Sequence, residues 1–430
     1  MKILIKGGHV VDPSNNVDKT ADILIRDGKI AAVAENIDEV CESVINADGM
    51  YVVPGAVDMN AALCEPGLEY REDIASGTKA AAAGGITSVA AMPGTSPVCD
   101  SAAVVRFIIS VAKERGYANV YPIAALSKGL CGKELTEVGD LKENGAVALS
   151  EGIKSVESPS FLRKALQYSS MFDMPVIVHC EDKDFSDGGY MNEGTVSARL
   201  GLRGINAAAE EIHAARNILI AKALGCKIHL THISTAGTVE IVRRAKADGI
   251  KVTCDTAPQY FALTEDAVDG FDTNAKLNPP LRAKSDVEAI KAGLADGTID
   301  AVASSHMPYH ADEKRCEFAA AASGMSSLET SIPVTLDYLV GRGGVSMSDF
   351  VKLTALNPAK ILGIDKGTLG VGADADIAVL DLEKEHTIRA DEFRSKGHNT
   401  PFDGFKVKGK PEYVIVGGKI VVNKGNLEEM

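Results

Sequence analysis

Two hydrophobic patterns divide the chain. In the first fifty residues, short apolar runs at 3–5, 9–11, 21–25 and 29–33 are separated by Gly7-Gly8, Asp12-Pro13-Ser14-Asn15 and Asp27-Gly28. Such spacing predicts strands joined by turns. The end of the chain repeats it, with runs at 375–380 and 413–416 and a Gly417-Gly418 turn into 419–422. Between residues 51 and 363 the pattern changes. Apolar runs at 51–57, 88–92, 120–125, 146–150, 176–179, 228–232, 252–255 and 299–304 alternate with helical stretches or long loops. The clearest helical stretches are 74–83, 102–113, 159–169, 207–224, 238–247 and 285–294. Eight strand-then-helix units predict an α/β protein of (β/α)8 barrel type. The strand-rich ends predict a small β-sandwich domain built from both termini. The expected division is 1–50 and 364–430 for the sandwich and 51–363 for the barrel. A doubly wound open sheet is the competing architecture, but no Gly-x-Gly-x-x-Gly turn or Walker loop supports it.

In a barrel of this kind the chemistry sits at the C-terminal strand ends. Those positions carry Asn60 and Ala62, Gly94, Glu151, His179, His232 and the pair Ser305-His306. Two histidines and a carboxylate on one rim form a His2Glu set that is a recognised composition for zinc. A single strand-end histidine is ordinarily a hydrogen-bonded structural residue, and the pair on neighbouring strands leaves the two readings level. The eight cysteines contain no Cys-x-x-Cys pair, so reduced thiols are expected, with neither a disulfide framework nor cysteine-bound zinc. A net charge of −14 gives no footprint for a nucleic-acid backbone. No run is long enough to cross a bilayer and the N-terminus lacks a signal-peptide pattern, so no membrane association and a cytoplasmic location are expected.

Several motifs go further. Val53-Pro54-Gly55 with Asp58 and Glu65-Pro66-Gly67, then Gly84-Gly85-Ile86-Thr87, His179-Cys180-Glu181-Asp182 and Thr231-His232-Ile233-Ser234-Thr235 run along the barrel. Lys276-Leu277-Asn278-Pro279-Pro280-Leu281-Arg282, Asn357-Pro358-Ala359-Lys360 and Asn399-Thr400-Pro401-Phe402-Asp403-Gly404 continue the series. Together they resemble the dihydroorotases, a branch of the amidohydrolase superfamily, nearly end to end. The resemblance implies opening or closing of the cyclic amide of dihydroorotate in pyrimidine synthesis. A zinc-activated water would be the nucleophile, an Asp after the eighth strand would move the proton, and an Arg and an Asn would hold the substrate carboxylate. It also implies a homodimer.

The departures fall on these roles. Asn60 and Ala62 stand where the family has a His-x-His pair, and alanine has no donor atom. Cys64 replaces the clamp arginine and Gly94 the clamp asparagine, removing a bidentate cation and an amide. Glu151 stands in an Asp-Asp-Gly segment, and Ser305 replaces the proton-moving Asp. His179, His232, His306 and Asn278 match the family. Three readings follow. The first is a dihydroorotase homologue that is inactive or impaired and acts as a scaffold for aspartate carbamoyltransferase, with no metal. The second is a zinc-dependent dihydroorotase or other cyclic amide hydrolase holding one ion on His179, His232 and Glu151. In that reading it acts on a small-molecule substrate, with Asn278 in substrate binding and His306 or His310 moving protons. The third is a small-molecule binding protein using the vacated pocket, with Asn278, Arg282 and the loop 310–324 as contacts.

Overall fold

The computed structural model describes residues 2–429. Eight parallel strands form the barrel: β1 (Ala56–Ala61), β2 (Ile86–Ala91), β3 (Asn119–Ala125), β4 (Ala148–Ser155), β5 (Val176–His179), β6 (Ile228–Leu230), β7 (Val252–Thr256) and β8 (Ala301–Val302). Each pairs with the next in chain order. An isolated parallel bridge, Ala61 with His306, brings the two ends of the sheet together. There the Ala62 amide donates to His306 O at 2.9 Å and the His306 amide to Asn60 O at 3.1 Å. Inside the barrel pack Val57, Met59, Ala90, Ile123, Ala148, Ile177 and Ala301, a layer of small and branched side chains.

The helices outside begin where the sequence supplies caps. Asp73 accepts from the Ser76 amide ahead of Ile74–Ala83, and Thr235 from Thr238 ahead of Ala236–Ala247. Ser158 caps Pro159–Ser170, whose proline occupies the first turn, where its missing N–H leaves no gap.

The terminal segments build one nine-stranded sheet, mostly antiparallel, with its own core of Ile3, Ile5, Ile23, Ile25, Ile377 and Ile415. One expectation changes here. Residues 51–57 were expected as a single barrel strand, but Tyr51–Pro54 pairs with Lys2–Asp12 and Ile377–Thr387 in the terminal sheet. The break falls at Gly55, whose amide donates to Asp376 O at 2.9 Å. A β-carbon on Gly55 would lie 2.1 Å from the Thr87 side chain, so only glycine lets the chain cross from one sheet to the other. Asp376 also accepts from Asn119 of β3, from Lys366 and from the Gly417 amide, tying barrel to sheet.

A second joint responds to pH. Glu329, in the helix Leu328–Thr335, accepts from the Arg394 and Ser395 amides. Burial pushes its carboxyl up to about 7 from an ordinary 4.5, against the pull of those two bonds. A folded-state value above the unfolded one means that the native form holds a proton which the unfolded chain releases. Stability from this group is therefore full below about pH 4.5 and is lost as pH climbs through 7. The Glu329→Gln variant is expected to gain about 1–2 kcal/mol over the parent at pH 8 and nothing at pH 4, after allowance for partial exposure. Thermal melts of both proteins across that range measure it.

Candidate active site

Three non-glycine residues at the strand ends hold left-handed backbone: Cys64 (φ 60°), His232 (φ 42°) and Ser305 (φ 53°). Each such turn costs an L-residue roughly 1–2 kcal/mol, and such strain gathers where side chains must be aimed. At His232 the turn is held by its own amide, which donates to Asp255 Oδ1 at 2.6 Å.

The structure brings His179 and His232 together. Both are buried, with ring centroids 4.9 Å apart, and His232 Nε2 lies 2.8 Å from His179 Nδ1. Asn60 Nδ2 is 3.0 Å from His232 Nδ1 on the far side of that ring. His179 Nε2 faces Glu181 Oε2 at 3.4 Å, and Asn278 donates to the same oxygen at 3.1 Å. Burial drives His232 well below the usual imidazole range, so it is neutral near pH 7. Burial alone would raise the Glu181 carboxyl, but the hydrogen bonds from His179 and the Asn278 amide hold it below the usual carboxylate range.

Other expected site residues lie elsewhere. Glu151 is not joined to the histidine pair. Its Oε1 accepts from the Ser127 amide at 2.6 Å and its Oε2 from the Ser127 hydroxyl at 2.8 Å, and burial raises its carboxyl. His306, expected to act in catalysis, has both ring nitrogens engaged in the interior: Nδ1 accepts from the Ser327 amide at 3.0 Å and Nε2 faces Glu72 at 3.3 Å. His310 is on the surface, where its ring accepts from the Asp312 amide. Arg282, a contact in the ligand-binding reading, is buried against Ser234, Asn192, Ile205 O and Glu210. Cys64 is buried, and burial with Glu72 nearby pushes its thiol up to about 12, so it supplies no thiolate. Gly94 is exposed with open space beyond its α-carbon.

Between these groups lies a cavity of about 20 Å³, lined by Asn60, His232, Asn278, Ser305, Ile153 and Met307 among others. That is room for about one water. The buried side-chain oxygen of Gln259, Oε1, on the same wall, has no partner. The sequence reading missed Gln259 and Asp255, although an aspartate ending an inward-facing strand was a usable signal for the second.

The comparisons agree with this architecture. The dihydro-orotase-like family model matches residues 49–238 and the amidohydrolase family model residues 304–422. The chain is 51% identical over 422 residues to the dihydroorotase of Acetivibrio thermocellus, covering 98% of this chain and 99% of the relative. It is 50% identical over 424 residues to that of Ruminiclostridium cellulolyticum, covering 99% of both. The chain belongs to the dihydroorotase family. The fold extends to the L-hydantoinase (dihydropyrimidinase) of Arthrobacter aurescens, at TM-score 0.90 and 27% identity over 99% of this chain and 97% of the other.

The zinc implied by the dihydroorotase resemblance does not fit the residues as they stand. Among the described residues, no group of three or more His, Cys, Asp or Glu is arranged to hold a metal ion. The facing nitrogens of His179 and His232 are at hydrogen-bond distance, so one proton lies between them where a metal needs two free lone pairs.

Proposed function

We propose that this dihydroorotase-family protein serves pyrimidine biosynthesis without turning over dihydroorotate, and that it acts as a structural partner of aspartate carbamoyltransferase. The observation that carries the reading is the cavity. A volume of about 20 Å³ leaves no place for a six-membered ring beside its attacking water. Three roles are affected at once: Ala62 offers no ligand atom, Cys64 and Gly94 offer no carboxylate clamp, and Ser305 offers no base near neutral pH. Loss of general acid–base action alone lowers a rate by about 10²–10⁴, and loss of the activated water removes the nucleophile itself. What remains is a complete barrel and terminal sheet, whose outer surface is the part a partner protein would use. In this reading the protein works in the cytoplasm as a homodimer.

The test joins two measurements on one preparation. Dihydroorotate turnover is expected at background, with zinc added or omitted. The aspartate carbamoyltransferase from the same organism is expected to co-elute with the chain and to lose activity or stability when it is absent. Turnover within about tenfold of a working dihydroorotase, in the usual 1–10³ s⁻¹ range, would overturn the non-catalytic half. A transferase equally stable and active alone would overturn the scaffold half.

A further inference from the structure

We infer that Asn60, His232, His179, Glu181 and Asn278 form one hydrogen-bond chain of fixed direction that stands in place of a metal and completes the centre without one. The direction follows from proton counting, beginning outside the chain. Thr231 has a single hydroxyl hydrogen, and its oxygen lies 3.0 Å from Asp255 Oδ2, a carboxylate that only accepts. That hydrogen is spent on Asp255, so Thr231 Oγ1 can only accept from Asn60, which lies 3.0 Å away. The Asn60 amide is thereby oriented with its nitrogen toward Thr231, and the nitrogen's second hydrogen reaches His232 Nδ1.

The rest is forced. His232 Nδ1 accepts, so the single proton of this neutral ring sits on Nε2 and is given to His179 Nδ1 at 2.8 Å. His179 Nδ1 accepts in turn, which places its proton on Nε2, toward Glu181 Oε2. Glu181 ends the chain and is braced by Asn278 from the other side. Asp255, which sets the whole direction, is held by His229 Nε2 at 2.8 Å and by the His232 amide. No donor in the series faces another donor.

An alanine or leucine at position 60 would leave His232 Nδ1 buried without a partner, so asparagine does work here that a merely vacated ligand position would not need. Two nitrogens on one tetrahedral zinc, each about 2.0–2.1 Å from it, stand roughly 3.3 Å apart. A metal would therefore have to part the rings by about 0.5 Å, displace the shared proton and free both lone pairs, for at most two protein ligands in return.

The inference deepens the non-catalytic reading of the same site and fails separately from it. Nitrogen–proton correlation spectra of the purified full chain are expected to show His179 and His232 as neutral rings protonated on Nε2. Added zinc, as the chloride, is expected to leave those signals and the melting temperature unchanged, as is removal of metal by a chelator. In the Asn60→Asp variant a carboxylate faces His232 Nδ1, and the His232 proton is expected to move to Nδ1. Should that variant fail to fold, the wild-type spectrum still decides. An Nδ1-protonated His232 in the wild type, or stoichiometric zinc that shifts both ring signals, would overturn the chain. Tight zinc with no turnover would sink this inference and spare the proposed function. Turnover without zinc would do the reverse.

Discussion

Exchange of Arg282 for methionine is expected to lower the stability of the folded chain by about 3–5 kcal/mol, the range for stranding one member of a buried ion pair. The guanidinium is almost fully buried. Its Nε donates to Ser234 Oγ at 3.0 Å, Nη1 to Asn192 Oδ1 at 3.1 Å and to Ile205 O at 3.2 Å, and Nη2 lies 3.5 Å from Glu210. Glu210 is equally buried and also accepts from the Ser234 and Thr235 amides just beyond His232. Methionine fills similar volume, so the loss isolates charge and hydrogen bonding from packing. For a chain this long the melting temperature should fall by about 3–6 °C. The companion variant Arg282→Met/Glu210→Gln should recover part of that fall, because the stranded carboxylate carries most of the penalty. A single variant that melts with the parent would show that the pair is not needed. The same residue was a plausible ligand contact when only its motif was visible, and its four partners assign it instead to bracing the turn that carries His232.

The second large effect is expected at Gly67, where alanine should cost more than about 3 kcal/mol, a size reserved for severe local conflict. Gly67 has φ 92°, which disfavours any side chain, and a β-carbon there would lie 1.8 Å from the backbone oxygen of Ser96. A backbone oxygen cannot swing aside as a side chain can. The two loops, one following Cys64 and the other Gly94, would have to separate and give up the bond from the Ser96 amide to Pro66 O at 2.8 Å. Thermal melts should show the loss, and amide exchange at Ser96 should accelerate. Gly94→Ala is the control: beyond its own chain neighbours nothing lies within 4 Å of the added β-carbon, and its melt should match the parent within about 0.5 kcal/mol. Equal behaviour of the two variants would mean that the loops are not packed as described.

The sequence alone determined the class of the fold and which residue types stand at the strand ends. Alternating strand and helix periods are local properties, and eight of them in a row leave few architectures. The absence of a donor atom at Ala62, or of a charge at Cys64, is likewise a property of one residue and needs no coordinates. Periodicity could not place the crossing at Gly55, since the apolar run continues from Tyr51 through Val57 and only the strand partners on either side differ. Nor could it choose partners for the polar residues. Glu151 and the two histidines formed a reasonable ligand set by type. The fold gave Glu151 to Ser127, 24 residues away, and gave His232 to Asn60, 172 residues away. Hydrogen-bond direction and cavity size depend on ångström-scale positions set by packing from several strands at once. Only the tertiary structure therefore decided that the centre closes on itself.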